Sequence, residues 1–441
     1  MEGFVELAAG ARELRVILHK GDIVVRVVEG ATWSLEWSSD GDVAPEVERE
    51  GPMLQVRQPG HGEFFDKGVF VDKGHKRVFV GTGGFFNSEA GTASTESTSL
   101  GGSIGEIVTD ALRAAGGGHT RRSDVRITMP PGVEAVELRT GLGRIEAEGV
   151  TGRLRLTTGH GPLTLRSARG EAEVATGNGE VVLEEYDGTV TATTGNNRIQ
   201  AERLRGTATL HTGNGRVEVR DSEGSIRATT GNGDVTLTAV AGDVEVDTGH
   251  GTVEISAPRS PAVRASTGMG SLRVEGGAVR GLRLRSGMGT IACAAALEPG
   301  TYEMVTDMGA IDLELPATIR ARVDAQTSFG QIHSDFPLVR VGRSGPLGFG
   351  GVRMVGSIGE GEPEVDVALR SSKEQISLRR RPDYRSAPGA GTTTERPAPT
   401  PPEEPTPTMD STLAVLEALA GGDISVDEAD ELLRLQPRPW G

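Results

Sequence analysis

Threonine followed by glycine recurs along this chain at a fixed interval. The pair stands at Thr140-Gly141, Thr158-Gly159, Thr176-Gly177, Thr194-Gly195, Thr212-Gly213, Thr230-Gly231 and Thr248-Gly249, 18 residues apart without a slip. The interval then lengthens through Thr267-Gly268, Ser286-Gly287, Thr306-Asp307 and Thr327-Ser328. So short a unit cannot bury a core by itself, and its apolar residues are hidden only when copies stack.

Each unit has one internal pattern when counted from its threonine. The sixth position reads Ile145, Leu163, Val181, Ile199, Val217, Val235, Val253, and the eighth reads Ala147, Leu165, Leu183, Ala201, Val219, Leu237, Ile255. Positions 15 and 17 are again apolar, as in Leu154/Leu156 and Val244/Val246, and position 13 is Gly152, Gly170, Gly188, Gly206, Gly224, Gly242. Apolar residues two apart mark a strand with one buried face. One unit is therefore strand, glycine turn, strand, glycine turn, and each strand pairs in parallel with its copy in the next unit. The expected fold is all-β: a parallel β-solenoid (β-helix) of 18-residue coils with two main sheets, plus a small C-terminal helical hairpin. Val181, Ile199 and Val217 should stand in one vertical file.

Composition agrees with a narrow core. The chain has 64 glycines in 441 residues and only 4% aromatic residues, too little bulk for a thick globular interior. Its formal charge of -16 disfavours nucleic acid and anionic lipid as partners. With Cys293 as its single cysteine, the chain can form neither an internal disulfide nor a cysteine metal cluster. Cys293 falls at an inward position, which suits a buried, inert thiol. No run of about 18 apolar residues predicts a direct membrane span.

Three features of the repeat invite sharper readings. The threonines should point inward and bond neighbouring backbone, rather than form an ice-binding array, since the outward row Arg155, Glu173, Thr191, Thr209, Arg227, Glu245 is mixed. Asn178, Asn196, Asn214 and Asn232 share one corner row, where asparagine tolerates left-handed backbone and can stack into a ladder. The Gly-Asn-Gly corners lack the lysine and helix start of a phosphate loop. His160 and His250 occupy the same row five coils apart, about 24 Å at strand spacing, and cannot share a metal ion. Farther along, the row becomes Met269, Met288, Met308 and Phe329. The lengthening period suggests larger coils that enclose these side chains; an exposed docking edge is the alternative.

The expected divisions are a β cap at 1–59, a Phe/Gly-rich insertion at 60–123, the solenoid at 124–382, a Pro/Thr-rich linker at 383–408 and a helical hairpin at 409–436. Trp33 and Trp37 should close the first end. The insertion carries Phe64, Phe65, Phe70, Phe79, Phe85 and Phe86, candidates for a contact with a partner or with the column. The solenoid should finish with Val365, Val367 and Leu369, then Ile376 and Leu378. In the hairpin, Leu413, Leu416, Leu419, Ile424, Leu432 and Leu433 are candidate docking residues, because a segment this short buries no self-sufficient core.

The repeated Thr/Ser-Gly-x-Gly-x-(Val/Ile) unit with its lead-in VRITMPPGV resembles the bacterial toastrack solenoid family, whose label is "putative adhesin". The tail LEALAGGDISVDEADELL is similar to the short SHOCT-like bihelical hairpin that accompanies that domain. The resemblance implies a role in envelope-associated sensing or assembly and supplies no catalytic residue. The expected function is a non-enzymatic scaffold without cofactors, binding a protein partner or itself through the hairpin. A cell-surface adhesin-like protein is the alternative. A carbohydrate-active β-helix would need clustered carboxylates, and Glu218 and Asp234 lie near one face without a distinctive partner. The opening MEGFVELAAGARELRV has no basic flank before a long apolar run, so a cytoplasmic address is expected, with membrane association only through a partner.

Overall fold

In the computed structural model, Val181, Ile199 and Val217 stand directly over one another, paired in parallel and fully buried. The structure describes residues 1–7, 10–40, 44–58, 122–341 and 351–381, and the backbone of two short strands, Val69–Asp72 and Arg77–Val80. Among the described residues there is no helix; the predicted linker and C-terminal hairpin lie outside them.

The column is a parallel β-solenoid. One sheet stacks the strands that lead into each Thr-Gly corner, with Leu156, Val174, Ala192, Leu210 and Ala228 in register on its inner face. The second sheet stacks the strands that follow the corner, from Ile145 through Leu163, Val181 and on to Val253. The file mixes leucine, valine and alanine, all buried, so the narrow core is filled by side chains of differing size from coil to coil. Cys293 is buried in this core, and burial pushes its thiol up to about 11.

Two backbone devices turn the chain. Gly152, Gly170, Gly188, Gly206 and Gly224 lie in register along one turn. A Cβ on Gly188 would sit 2.0 Å from the carbonyl oxygen of Gly170, and its φ is 135°. Only glycine lets consecutive coils approach so closely there. The left-handed corner just before this row is instead filled by Ser167, Glu185, Arg203, Asp221, Ala239 and Ala257, with φ between 47° and 57°. Asn178, Asn196, Asn214 and Asn232 do not adopt that conformation, contrary to the expectation for their row. Their value to the fold lies in their side chains.

The ends depart from chain order. At the N-terminal end Glu13–Lys20 and Ile23–Val27 form a coil directly beneath Ala135–Leu142 and Ile145–Glu148. The next coil outward is split, with Met53–Arg57 in one sheet and Ser123–Met129 in the other. Antiparallel strands then close both sheets: Glu46–Glu50 on the first, and Ser34–Ser39 followed by Glu2–Glu6 on the second. Trp33 is buried in the end coil, and the indole of Trp37 lies over Gly3, where a Cβ would come 2.3 Å from the ring.

The C-terminal end repeats the device. Val365–Ser371 and Ile376–Arg381 do not finish the column. They lie between the coil Gly300–Met308/Ile311–Pro316 and the outer coil Ala321–Thr327/Ile332–Ser334. Val352–Ile358 then caps Ala321–Thr327 antiparallel. A parallel stack leaves an open ladder at each end, and reversing strand direction stops further parallel addition.

Gly188→Ala should therefore lower the urea midpoint strongly, by the equivalent of roughly 3 kcal/mol or more, because the added methyl meets backbone. Gly30→Ala, with φ of 74° and open space around it, should cost only about 1 kcal/mol. Equal effects at the two positions would contradict the close coil contact.

Candidate interaction surfaces

Inward threonines at the start of each corner fix the geometry of everything outside it. Thr158 Oγ1 donates to the carbonyl of Gly143 at 3.0 Å, Thr176 to Gly161 at 3.1 Å, Thr194 to Gly179 at 2.9 Å and Thr212 to Asn197 at 3.0 Å. The pattern continues through Thr230, Thr248, Thr267, Ser286 and Thr306. Ser371 then bonds Gly309, and Thr327 bonds Glu374, following the order of coils in space rather than in sequence. Each hydroxyl thus clips its own corner to the coil before it.

Two residues beyond the clip, the side chain faces solvent. In register along this ridge stand Lys20, Leu142, His160, Asn178, Asn196, Asn214, Asn232, His250, Met269, Met288 and Met308. The asparagines form the expected ladder: Asn196 Nδ2 donates to Asn178 Oδ1 at 2.6 Å, Asn214 to Asn196 at 3.0 Å, and Asn232 to Asn214 at 2.8 Å. Asn178 Nδ2 lies 3.1 Å from His160 Nδ1, which ties the histidine to the foot of the ladder. The two histidines stay at opposite ends of the ladder and do not converge.

The methionines are not enclosed. Met269, Met288 and Met308 are 41%, 40% and 41% exposed, and Phe329 is 75% exposed. The expectation failed because the lengthening coils add their extra residues elsewhere. The growth falls in the turn that leads back into the first sheet, where the in-register spans lengthen from Ala241–Val244 through Arg259–Val263 and Ala278–Leu282 to Ala296–Tyr302. The Thr-Gly corner keeps its shape, so methionine points outward where asparagine did.

Charges on the flat faces are largely spent on each other. Arg155 pairs with Glu173 at 2.7 Å, Arg166 with Glu184 at 2.9 Å, Arg198 with Glu180 at 2.6 Å, and Arg227 with Glu245 at 2.9 Å, each between adjacent coils. Such exposed pairs contribute well under about 1 kcal/mol apiece, but they neutralise the surface. Glu218 and Asp234 have a shared partner that sequence reasoning missed: Arg216 lies 3.6 Å from the first and 3.2 Å from the second. A shallow depression of about 340 Å³ surrounds Val305, flanked by Arg285, Arg370, Glu303 and Asp307. Glu303 there is already held by Arg283 at 2.8 Å.

The exposed large apolar residues, among those described, fall at three places. Met1, Phe4, Val5 and Val28 lie at the N-terminal end. Phe329, Val339 and Val341 lie at the C-terminal end, and Leu142 with the three methionines lies on the corner ridge. Along the regular coils, none stands on a flat face. Of the insertion phenylalanines, Phe70 and Phe79 stand opposite each other in the antiparallel pair Val69–Asp72 and Arg77–Val80. Phe64, Phe65, Phe85 and Phe86 lie outside the described residues, as do Leu413, Leu416, Leu419, Ile424, Leu432 and Leu433.

With this geometry in view, comparison with known proteins is informative for the fold. Residues 209–371 match the family model described as Toastrack DUF4097. The coils that precede residue 209 stack in the same register, so the column continues beyond the matched toastrack segment. A crystal structure titled "putative cell adhesion protein", from Clostridium sporogenes, aligns at 9% identity over 86% of this chain and 99% of its own. Its TM-score is 0.14, and a superposition that poor carries no argument. No curated protein matches the chain. No helix of the described residues is long and apolar enough to cross a membrane.

The two kinds of corner bond should differ in worth. Thr212→Val keeps the shape but leaves the Asn197 carbonyl without its hydroxyl donor and puts a methyl where the part-buried bond was, and should cost about 1–2 kcal/mol in urea unfolding. Asn214→Ala removes two solvent-facing ladder bonds that water can replace, and should cost less than the valine substitution. The reverse ranking would show that the ladder, not the clip, joins the coils.

Proposed function

We propose that the protein is a non-enzymatic interaction scaffold. Its solenoid acts as a stiff spacer, and binding is made through the column's ends, its corner ridge and the C-terminal hairpin. One observation carries this reading: among the described residues the exposed large apolar side chains are confined to the ends and one edge, while the flat faces carry charges paired coil to coil. Exposed apolar side chains gathered in one place mark surfaces that meet other molecules. In-register stacking makes the column rigid, because moving one coil breaks ladder bonds on both sides at once.

The hairpin reading rests on sequence. Residues 409–436 carry leucines at helical spacing and a Ser425/Glu428 capping box after a Pro/Thr-rich linker. Such a segment gains a folded state by docking on a protein partner or on another copy. The tail's likeness to SHOCT-like hairpins, with a toastrack column beside it, supports a reading in which the protein serves envelope stress sensing or assembly. From a cytoplasmic address that role would run through a membrane-bound partner.

Deleting residues 409–441 tests the reading. Light scattering should show a lower oligomeric mass, or affinity capture from native cells should lose specific partners, while circular dichroism of the column stays unchanged. If mass and captured partners both match the full chain, the hairpin does not dock and the scaffold reading fails.

A further inference from the structure

The ridge beyond the asparagine ladder brings together four side chains with metal-binding atoms. His250 pairs in register with Met269, Met269 with Met288, and Met288 with Met308. Parallel in-register strands place successive members about 4.8 Å apart along one line. All three methionines are outward and close to two-fifths exposed. Methionine has three rotatable side-chain bonds, and two thioethers flanking one point on such a row can turn toward it.

We infer that His250, Met269 and Met288 form a binding site for a soft monovalent d10 cation, Cu(I) or Ag(I). Thioether sulfur is a soft, uncharged donor that selects such ions over Mg(II), Ca(II) or Zn(II), and imidazole nitrogen is a compatible third ligand. Met269 is the central member, with His250 one coil below and Met288 one coil above. Ligands spaced this way can surround an ion at the level of Met269 without any change in the coils. Met308 stands apart from the set. The Lys373 ammonium lies 3.3 Å from its sulfur, which occupies that donor and repels a second cation.

The same row would serve docking if only its apolar bulk mattered, and leucine would then do equally well. The cation reading depends on sulfur and nitrogen, so the two separate by substitution. It is also independent of the hairpin. Cys293, whose thiolate would be a stronger ligand than any thioether, is buried and its thiol is pushed up to about 11, so it does not compete in the folded chain.

The test uses the full-length chain under anaerobic reducing conditions, titrating Cu(I) against a chromogenic chelator, with Ag(I) titration of methyl-labelled methionine followed by NMR. The wild type should hold one Cu(I) per chain, and Ag(I) should shift the methyl signals of Met269 and Met288. Met269→Leu and Met288→Leu, which keep volume and fold, should each weaken binding at least tenfold. His250→Asn, which extends the existing ladder by one residue, should also weaken it. Met308→Leu and Cys293→Ala should leave it within about twofold, a bound set by additivity of separate sites. Wild-type binding no tighter than that of the Met269→Leu/Met288→Leu double variant would overturn the site, as would loss of binding in Cys293→Ala.

Discussion

The structure depends on one bond repeated up the column: a hydroxyl turned into the shaft at each corner, donating to a carbonyl of the coil beneath. Each clip is worth only about 1 kcal/mol on its own. Its consequence is larger, because it fixes where the next two residues point. With Thr194 bound to Gly179, Asn196 must leave the corner outward and in line with Asn178. The same constraint, applied through Thr248, Thr267 and Ser286, sends His250, Met269 and Met288 outward on one line. An interior bond therefore writes the exterior ridge.

Stacking of identical units also decides what kind of surface the protein presents. Arginine and glutamate placed one coil apart find each other at 2.6 to 2.9 Å without help from the rest of the fold. Flat faces built this way are self-satisfied. Chemistry is left to the places where the repeat changes: at the ends, where direction reverses, and where the corner residue switches from asparagine to methionine.

Much of the fold was legible from the sequence, because the side-chain period of a strand and the 18-residue spacing together admit one stacking. Val181, Ile199 and Val217, the inward threonines, the asparagine ladder and the buried Cys293 all stand as their spacing implies. The threading of the ends was not legible. Alternating apolar strands such as Val365-Asp366-Val367 and Ala321-Arg322-Val323 present equivalent inner faces, so either could follow Tyr302 and Met304. Pattern alone does not order them; the clips from Ser371 to Gly309 and from Thr327 to Glu374 do. The methionine row was misread because a longer period does not say which corner grows. Arg216 was missed as the shared partner because, although it lies two residues from Glu218 in the same coil, its pairing with Asp234 spans coils and depends on register.

Disulfide trapping on the ridge, in a Cys293→Ala background, tests the coil-on-coil register most directly. Asn196 and Asn214 are in-register neighbours, so Asn196→Cys with Asn214→Cys places two thiols across about 4.8 Å of strand spacing, within disulfide reach. Asn196→Cys with Asn232→Cys spans two coils, about 9.6 Å, and is beyond it. The account predicts rapid oxidation of the first pair within a single native chain and none of the second. Ready bridging of the second pair, or failure of the first in a folded chain, would contradict it.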